Sequence, residues 1–170
     1  MPVCSNIEEI KRKITIACER SGRDTKDITL IAVSKTKPVE AIQQVVECGQ
    51  RHFGENKVQE LTGKMEQFGD DLHWHMIGAL QTNKIKYLAS RVNWIHSIGK
   101  LKQLKEVEKR AEAVGRTINV LIQINISDED QKSGFSAQDL REVLNYAQTL
   151  KWVNVQGLMG MASFVDDPEV

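Results

Sequence analysis

Short apolar runs alternate with helical stretches along the chain, and this alternation restricts the fold more than any other feature. The first run, ITLIAVS, is apolar at even and odd positions alike and rich in β-branched residues, as expected of a strand covered on both faces. Five further runs follow: RHFG, LHWHMIG, VNWIHSI, INVLIQIN and WVNVQGLM. Strands in series with intervening helices predict an α/β fold with a parallel sheet.

Apolar spacing, prolines and glycines place the helices between these runs. Pro38 suits the first turn of a helix and Gly49 its end, and Gly115 ends a second, charge-rich helix. The predicted helices cover residues 5–20, 38–48, 56–68, 83–90, 100–114 and 136–150. Because no linker or low-complexity segment interrupts the series, we expect a single domain over residues 1–170.

Two architectures use such a series, an open doubly wound sheet and a (β/α)8 TIM-type barrel. A dinucleotide-binding doubly wound sheet carries GxGxxG after its first strand, whereas this chain has SKTKP there. The barrel is therefore favoured. Such barrels have eight strands and about 250 residues, so we expect about six of the eight βα units in this chain, with the C-terminal strands missing; an open sheet is the alternative.

Composition excludes several classes of function. Lys+Arg and Asp+Glu balance at 23 each, so no overall charge draws the chain to nucleic acid or a membrane surface. No run approaches the ~18 apolar residues of a membrane span. Cys4, Cys18 and Cys48 have no CxxC spacing, which predicts reduced thiols and a cytoplasmic protein. The two histidines of HWH lack a third ligand at a useful spacing, so no metal site is expected.

The C-terminal ends of the predicted strands are polar. They carry Ser34 and Lys35, the segments FGEN and HMIGALQTNK, His96 and Ser97, Gln123 and Asn125, and the segment GLMGMAS. In a barrel these ends form the functional face. Polar side chains and glycine-containing turns that converge on one mouth predict a small-molecule site.

Lys35 is the most distinctive of these residues. It shares strand parity with Ile31 and Val33, so an inward-facing Lys35 would place its amine above apolar side chains. Desolvation there favours the uncharged amine, the form that attacks an aldehyde. Lys37 lies before Pro38 in a loop and is expected to stay solvated. A lysine that merely extends its amine into water at a strand end is the alternative for both.

The other strand-end residues also have two interpretations. His75 either faces a ligand or is a hydrogen-bonded histidine of the core or rim. Asn56 either contributes to the site or caps the helix that follows it. Met159 is either a wall of the site or a core-filling side chain.

Taken in order, AVSKTKP, FGEN, HWHMIGALQTNK, VLIQINISDEDQKSGF and GLMGM resemble the pyridoxal phosphate homeostasis proteins. That family is related to the barrel domain of alanine racemases, the fold-type III pyridoxal phosphate proteins. The resemblance implies that Lys35 forms an internal aldimine with pyridoxal 5′-phosphate and that Lys37 is a neighbour in cofactor entry or release. Asn56, His75, Ile77 and Met159 match positions that line the cofactor.

The resemblance also implies a role in cofactor homeostasis without substrate turnover, so no catalytic residue is expected. Implied partners are pyridoxal phosphate and its apoenzymes, and we expect a monomer. Family members are longer, with phosphate-binding turns in strands beyond Val170, so we expect weak cofactor binding or an incomplete barrel in this chain alone. An amino-acid racemase is the alternative. It would need a second base, and the only tyrosines, Tyr87 and Tyr146, fall in predicted helices away from the mouth.

Overall fold

A computed structural model describes residues 2–126 and 134–161. Its six strands are β1 (Ala32–Val33), β2 (His52–Glu55), β3 (His73–Met76), β4 (Trp94–Ile98), β5 (Ile118–Ile124) and β6 (Val153–Gly160). All neighbouring strands pair in parallel, and the order in the sheet is the order in the chain. A doubly wound sheet reverses direction at a switch point, and this sheet does not. The predicted α/β barrel-type architecture, with six strands in the described part of the chain, is confirmed.

The helices lie between the strands close to their predicted positions. They are α1 (Pro2–Ser21), α2 (Val39–Glu47), α3 (Val58–Gln67), α4 (Leu101–Val114) and α5 (Leu140–Ala147), with 3₁₀ helices at Thr25–Asp27 and Thr82–Tyr87. The second 3₁₀ helix replaces the α-helix predicted over residues 83–90. Gly115 ends α4 in the left-handed conformation, at φ 64°, which glycine adopts without steric cost.

The hydrophobic core lies between the helices and the face of the sheet that we call the outer face. Phe53 and Trp74 of the outer face are almost fully buried and touch each other. Phe68, at the end of α3, packs against Trp74 with ring centroids 6.0 Å apart. The opposite side, the inner face, carries Val33, Gly54, His75 and Trp94, which are successive partners in the strand register.

Strand β1 is shorter than the run ITLIAVS predicts. Only Ala32 and Val33 form strand pairs, with Phe53 and Gly54 of β2. Because β1 is the first strand of the described sheet, it is paired on one side only and little fixes residues 28–31 in a ladder. The expectation that both of its faces are covered is wrong: Val33 on the inner face is 51% exposed.

The cysteines also differ from the prediction of three reduced thiols. Cys4 of α1 and Cys48 at the end of α2 form a disulfide, with their Cα atoms 5.2 Å apart, while Cys18 is buried and free. Contacts between α1 and α2 bring together two cysteines that are 44 residues apart in sequence, a proximity that spacing along the chain does not reveal. Within the described residues, no helix is both long and apolar enough to cross a membrane.

Candidate functional site

The strand register brings three of the predicted site residues, Lys35, Asn56 and Ile77, to one level of the sheet. Val33, Gly54 and His75 are register partners on β1, β2 and β3. Lys35, Asn56 and Ile77 each lie two residues further along their own segments. The ladder continues toward this level, because the Ser34 amide donates to the Gly54 carbonyl (3.0 Å) and the Ile77 amide to the Glu55 carbonyl (2.9 Å).

Two glycines allow the segments at this level to approach closely. A Cβ at Gly78 would lie 2.3 Å from the backbone oxygen of Asn56, so only glycine fits there. A Cβ at Gly54 would lie 3.1 Å from Ile77 Cδ1, which places the Ile77 side chain directly above the inner face of β2. Asn56 and Ile77 are thereby held against neighbouring strands.

Lys35 occupies a tight turn at the end of β1. The Lys37 amide donates to the Ser34 carbonyl at 3.0 Å, which closes a four-residue turn. Thr36, the third residue, has φ 63°, a conformation for which this turn position normally uses glycine. Lys35 and Lys37 are both exposed, so the predicted burial of Lys35 is not found, because the inner face beside β1 lies open.

Three charged side chains lie beneath this turn, and we call Glu55, Glu60 and Lys64 the buried ion cluster. Lys64 Nζ donates to Glu55 Oε1 (2.8 Å), to Glu60 Oε1 (2.7 Å) and to the Ser34 carbonyl (2.8 Å). The Ser34 hydroxyl donates to Glu55 Oε1 at 2.6 Å, and the Thr36 amide donates to Glu60 Oε1 at 2.6 Å. The hydrogen bond from Lys64 lowers the pKa of the Glu60 carboxyl.

The inner face carries a second polar group, which we call the histidine chain: His52, His75 and His96. His75 Nε2 lies 3.0 Å from His52 Nδ1, and His75 Nδ1 lies 2.9 Å from His96 Nε2. Burial, reinforced by the neighbouring histidines, lowers the pKa of His75 to about 3. Burial also lowers the pKa values of His52 and His96. His75 is thus a neutral histidine whose two nitrogens are both engaged.

A cavity of about 770 Å³ opens beside Asn56, among the segments that follow β2, β3 and β4. Four of its lining residues are lysines, namely Lys57, Lys84, Lys100 and Lys102, and none of the described residues that line it is acidic. Concentrated positive charge in a concave site attracts anions.

The predicted site residues are thus distributed unequally. Lys35, Asn56, Ile77 and His75 lie on the adjacent segments of β1, β2 and β3, whereas Met159 lies on β6, paired with Gln123 of β5. Sequence reasoning missed the buried ion cluster, the histidine chain and the lysines of the cavity. The four-residue spacing of Glu60 and Lys64 was the available signal, but it resembles any exposed helical ion pair.

Comparison with known proteins places the chain in a family. Residues 6–170 match the family described as alanine racemase, N-terminal domain. The pyridoxal phosphate homeostasis protein of Aquifex aeolicus (strain VF5) is 39% identical over 170 residues, which cover 99% of this chain and 75% of that protein. Its counterpart in Escherichia coli (strain K12) is 40% identical over 163 residues, covering 94% of this chain and 70% of that protein. This chain belongs to the pyridoxal phosphate homeostasis protein family.

Solved structures agree with this family assignment. PipY of Synechococcus elongatus PCC7942, solved with pyridoxal phosphate bound, is 36% identical with a TM-score of 0.75, and the match covers 86% of this chain and 68% of PipY. An alanine racemase from Streptomyces lavendulae is 17% identical with a TM-score of 0.70, covering 96% of this chain and 43% of the racemase. The second similarity concerns the fold alone: this chain shares the fold of part of the racemase at low sequence identity.

Proposed function

We propose that the protein binds pyridoxal 5′-phosphate through Lys35 as a lysine aldimine and acts as a cofactor carrier and regulator in intracellular pyridoxal phosphate homeostasis. The observation that carries the proposal is the position of Lys35, a primary amine on the strand-end level that also holds Asn56 and Ile77. The names of the relatives and the pyridoxal phosphate bound to PipY support the same ligand.

The residues present suit a phosphorylated aromatic aldehyde. Lys35 would supply the exposed primary amine that reacts with such an aldehyde. Asn56 offers an amide for a polar ring substituent, and Ile77 offers an apolar surface for the ring face. The lysines of the adjacent cavity attract a phosphate dianion. When bound, pyridoxal phosphate supplies the aldehyde and an electron-withdrawing ring.

His75 and Met159 complete the proposed lining. His75 is neutral and acts through its ring edge and shape, because both of its nitrogens already bind other histidines. Met159 contributes a half-buried apolar wall from β6. Neither side chain carries charge to the ligand, so the lysines of the cavity and the Lys35 turn provide the charge complementarity.

The proposal assigns no substrate turnover to the protein. Racemisation needs a proton donor and acceptor on each face of the substrate Cα. Tyr87 lies in the 3₁₀ helix, 52% exposed beside Lys84 and Lys86, and Tyr146 lies in α5. The proposal also includes a monomer in the cytoplasm that passes the cofactor to apoenzymes.

Reductive trapping tests the assignment. We expect purified full-length protein incubated with pyridoxal phosphate to develop the visible absorbance of a protonated imine, and borohydride to fix one pyridoxyl group on the peptide that carries Lys35. Lys35→Ala should abolish the band and the label, whereas Lys37→Ala, the matched control, should keep both. Colourless protein, or colour lost only in Lys37→Ala, would refute the assignment. Steady formation of D-alanine from L-alanine would overturn the carrier role.

A further inference from the structure

The turn that presents Lys35 is strained, and two separate elements hold it from below. Thr36 is a β-branched residue at φ 63°, a left-handed conformation that is unfavourable for a residue with a Cβ. Within the turn itself, one hydrogen bond, from Lys37 to Ser34, opposes that cost. The remaining support comes from β2 and α3, through the buried ion cluster.

The residues on both sides of Lys35, Ser34 and Thr36, each form hydrogen bonds with that cluster. Ser34, before Lys35, receives Lys64 Nζ at its carbonyl and donates its hydroxyl to Glu55. Thr36, after Lys35, donates its amide to Glu60. Lys64 links the two sides because it binds both carboxylates, and its side chain is only 7% exposed. Charge-assisted hydrogen bonds of this kind are short and strong.

We propose that Glu60 is a positioning residue for Lys35: through Lys64 and the Thr36 amide it fixes the turn so that Lys35, and not Lys37, reacts with the aldehyde. This inference rests on the proposed function. The two lysines are two residues apart and both are exposed at the turn, so exposure as such does not distinguish them. Their positions in the turn distinguish the two lysines, because the Lys37 amide closes the turn while Lys35 lies inside it.

Glu60→Ala is the informative variant, and Glu66→Ala is its matched control. Glu60 is partly exposed and is not a member of the hydrophobic core, and Glu66 is an exposed glutamate on the same helix. We expect amide hydrogen exchange at residues 34–37 to accelerate about tenfold in Glu60→Ala, the loss of one charge-assisted hydrogen bond. Glu66→Ala should exchange like the parent protein. This measurement needs no cofactor.

Borohydride trapping with pyridoxal phosphate supplies the second readout. Peptide mass mapping should give mostly Lys35 adduct in the parent protein and a mixture of Lys35 and Lys37 adducts in Glu60→Ala. Glycine at position 36 relieves the strain, so Thr36→Gly added to Glu60→Ala should restore the preference for Lys35. A role of Glu60 in stability alone would lower the melting temperature without changing the ratio of the two adducts.

The outcomes separate this inference from the proposed function. If the parent protein forms no Lys35 adduct, the proposed function fails, and exchange at residues 34–37 still decides whether Glu60 holds the turn. If the parent protein labels Lys35 and Glu60→Ala keeps both the exchange rate and the adduct ratio, the positioning role is overturned.

Discussion

The outer and inner faces of the sheet accommodate polar groups in different ways. On the outer face, Glu55 and Lys64 remain charged partners 2.8 Å apart in the buried ion cluster. On the inner face, the histidine chain joins one buried ring, His75, to two partly buried rings, and the pKa values of all three lie below the ordinary histidine value. Burial penalises an isolated charge strongly, so one face pairs its charges and the other remains neutral.

The difference follows from what each face packs against. The outer face meets α3, on which Glu60 and Lys64 are one turn apart. Lys64 donates to the Ser34 carbonyl and to Glu55, and Glu60 accepts from the Thr36 amide. On the inner face, side chains of adjacent strands pack against one another, and Trp94 of β4 stacks on His75 of β3 with ring centroids 5.8 Å apart. A charged cluster holds backbone directly, which suits the turn at Lys35. The neutral histidine chain fills space on the inner face without placing a charge near a ligand.

Removing Lys64 should have the largest effect, because it breaks the charged cluster. Lys64→Met leaves two carboxyl groups together, and Glu55 Oε2 already lacks a partner among the described residues. We expect a loss of about 3–5 kcal/mol in the free energy of unfolding, measured by urea denaturation. Lys13→Met is the control, because Lys13 lies 3.7 Å from Glu9 on the exposed side of α1; it should cost less than about 0.5 kcal/mol. Equal losses of stability in Lys64→Met and Lys13→Met would show that the buried ion cluster stabilises the protein no more than an exposed ion pair does.

Lowering the pH should destabilise the protein through the histidine chain. Between about pH 6.5 and 3, His75 binds a proton in the unfolded chain but not in the folded one, so stability falls as pH falls through this window. From pH 7 to pH 5, His75 alone should cost about 2 kcal/mol, and the lowered pKa values of His52 and His96 act in the same direction. The range stays above the titration of Glu60, whose pKa is lowered.

Urea unfolding at pH 5, 6 and 7 measures the slope of the free energy of unfolding against pH, and His75→Phe should make that slope smaller. His73→Gln is the control, because His73 lies on the same strand but is exposed. If His75→Phe retains the full slope, then His75 does not account for the acid sensitivity.

Sequence patterns predicted the strand series because apolar periodicity depends on residues close in the chain. They overestimated β1 because strand length depends on partners: residues 28–31 are apolar but have no strand pair in the described sheet. The shared level of Lys35, Asn56 and Ile77 could be expected, since parallel strands end at one edge. Nothing in these local patterns fixes the register that joins Val33, Gly54 and His75.

Both polar clusters were hidden for the same physical reason. Lys64 and the Ser34 carbonyl are 30 residues apart, and His52 and His75 are 23 apart. Contacts at such separations depend on which face of α3 meets β2 and on how the strands align. The Cys4–Cys48 disulfide likewise depends on the packing of α1 against α2. A helical Glu–Lys pair and single strand histidines have ordinary surface or core explanations until that packing is known.

The prediction with the smallest expected change in stability tests whether the turn at Lys35 is strained. Thr36→Gly should raise the free energy of unfolding by roughly 0.5–1 kcal/mol, because glycine adopts φ 63° without a Cβ penalty but loses more entropy on folding. Thr36→Ala keeps a Cβ and should gain less. Since the Thr36 amide to Glu60 contact uses backbone only, both variants keep it. If Thr36→Gly is destabilising, the Thr36 side chain stabilises the turn by more than its conformation costs, and the support from Glu60 would not be needed to offset strain.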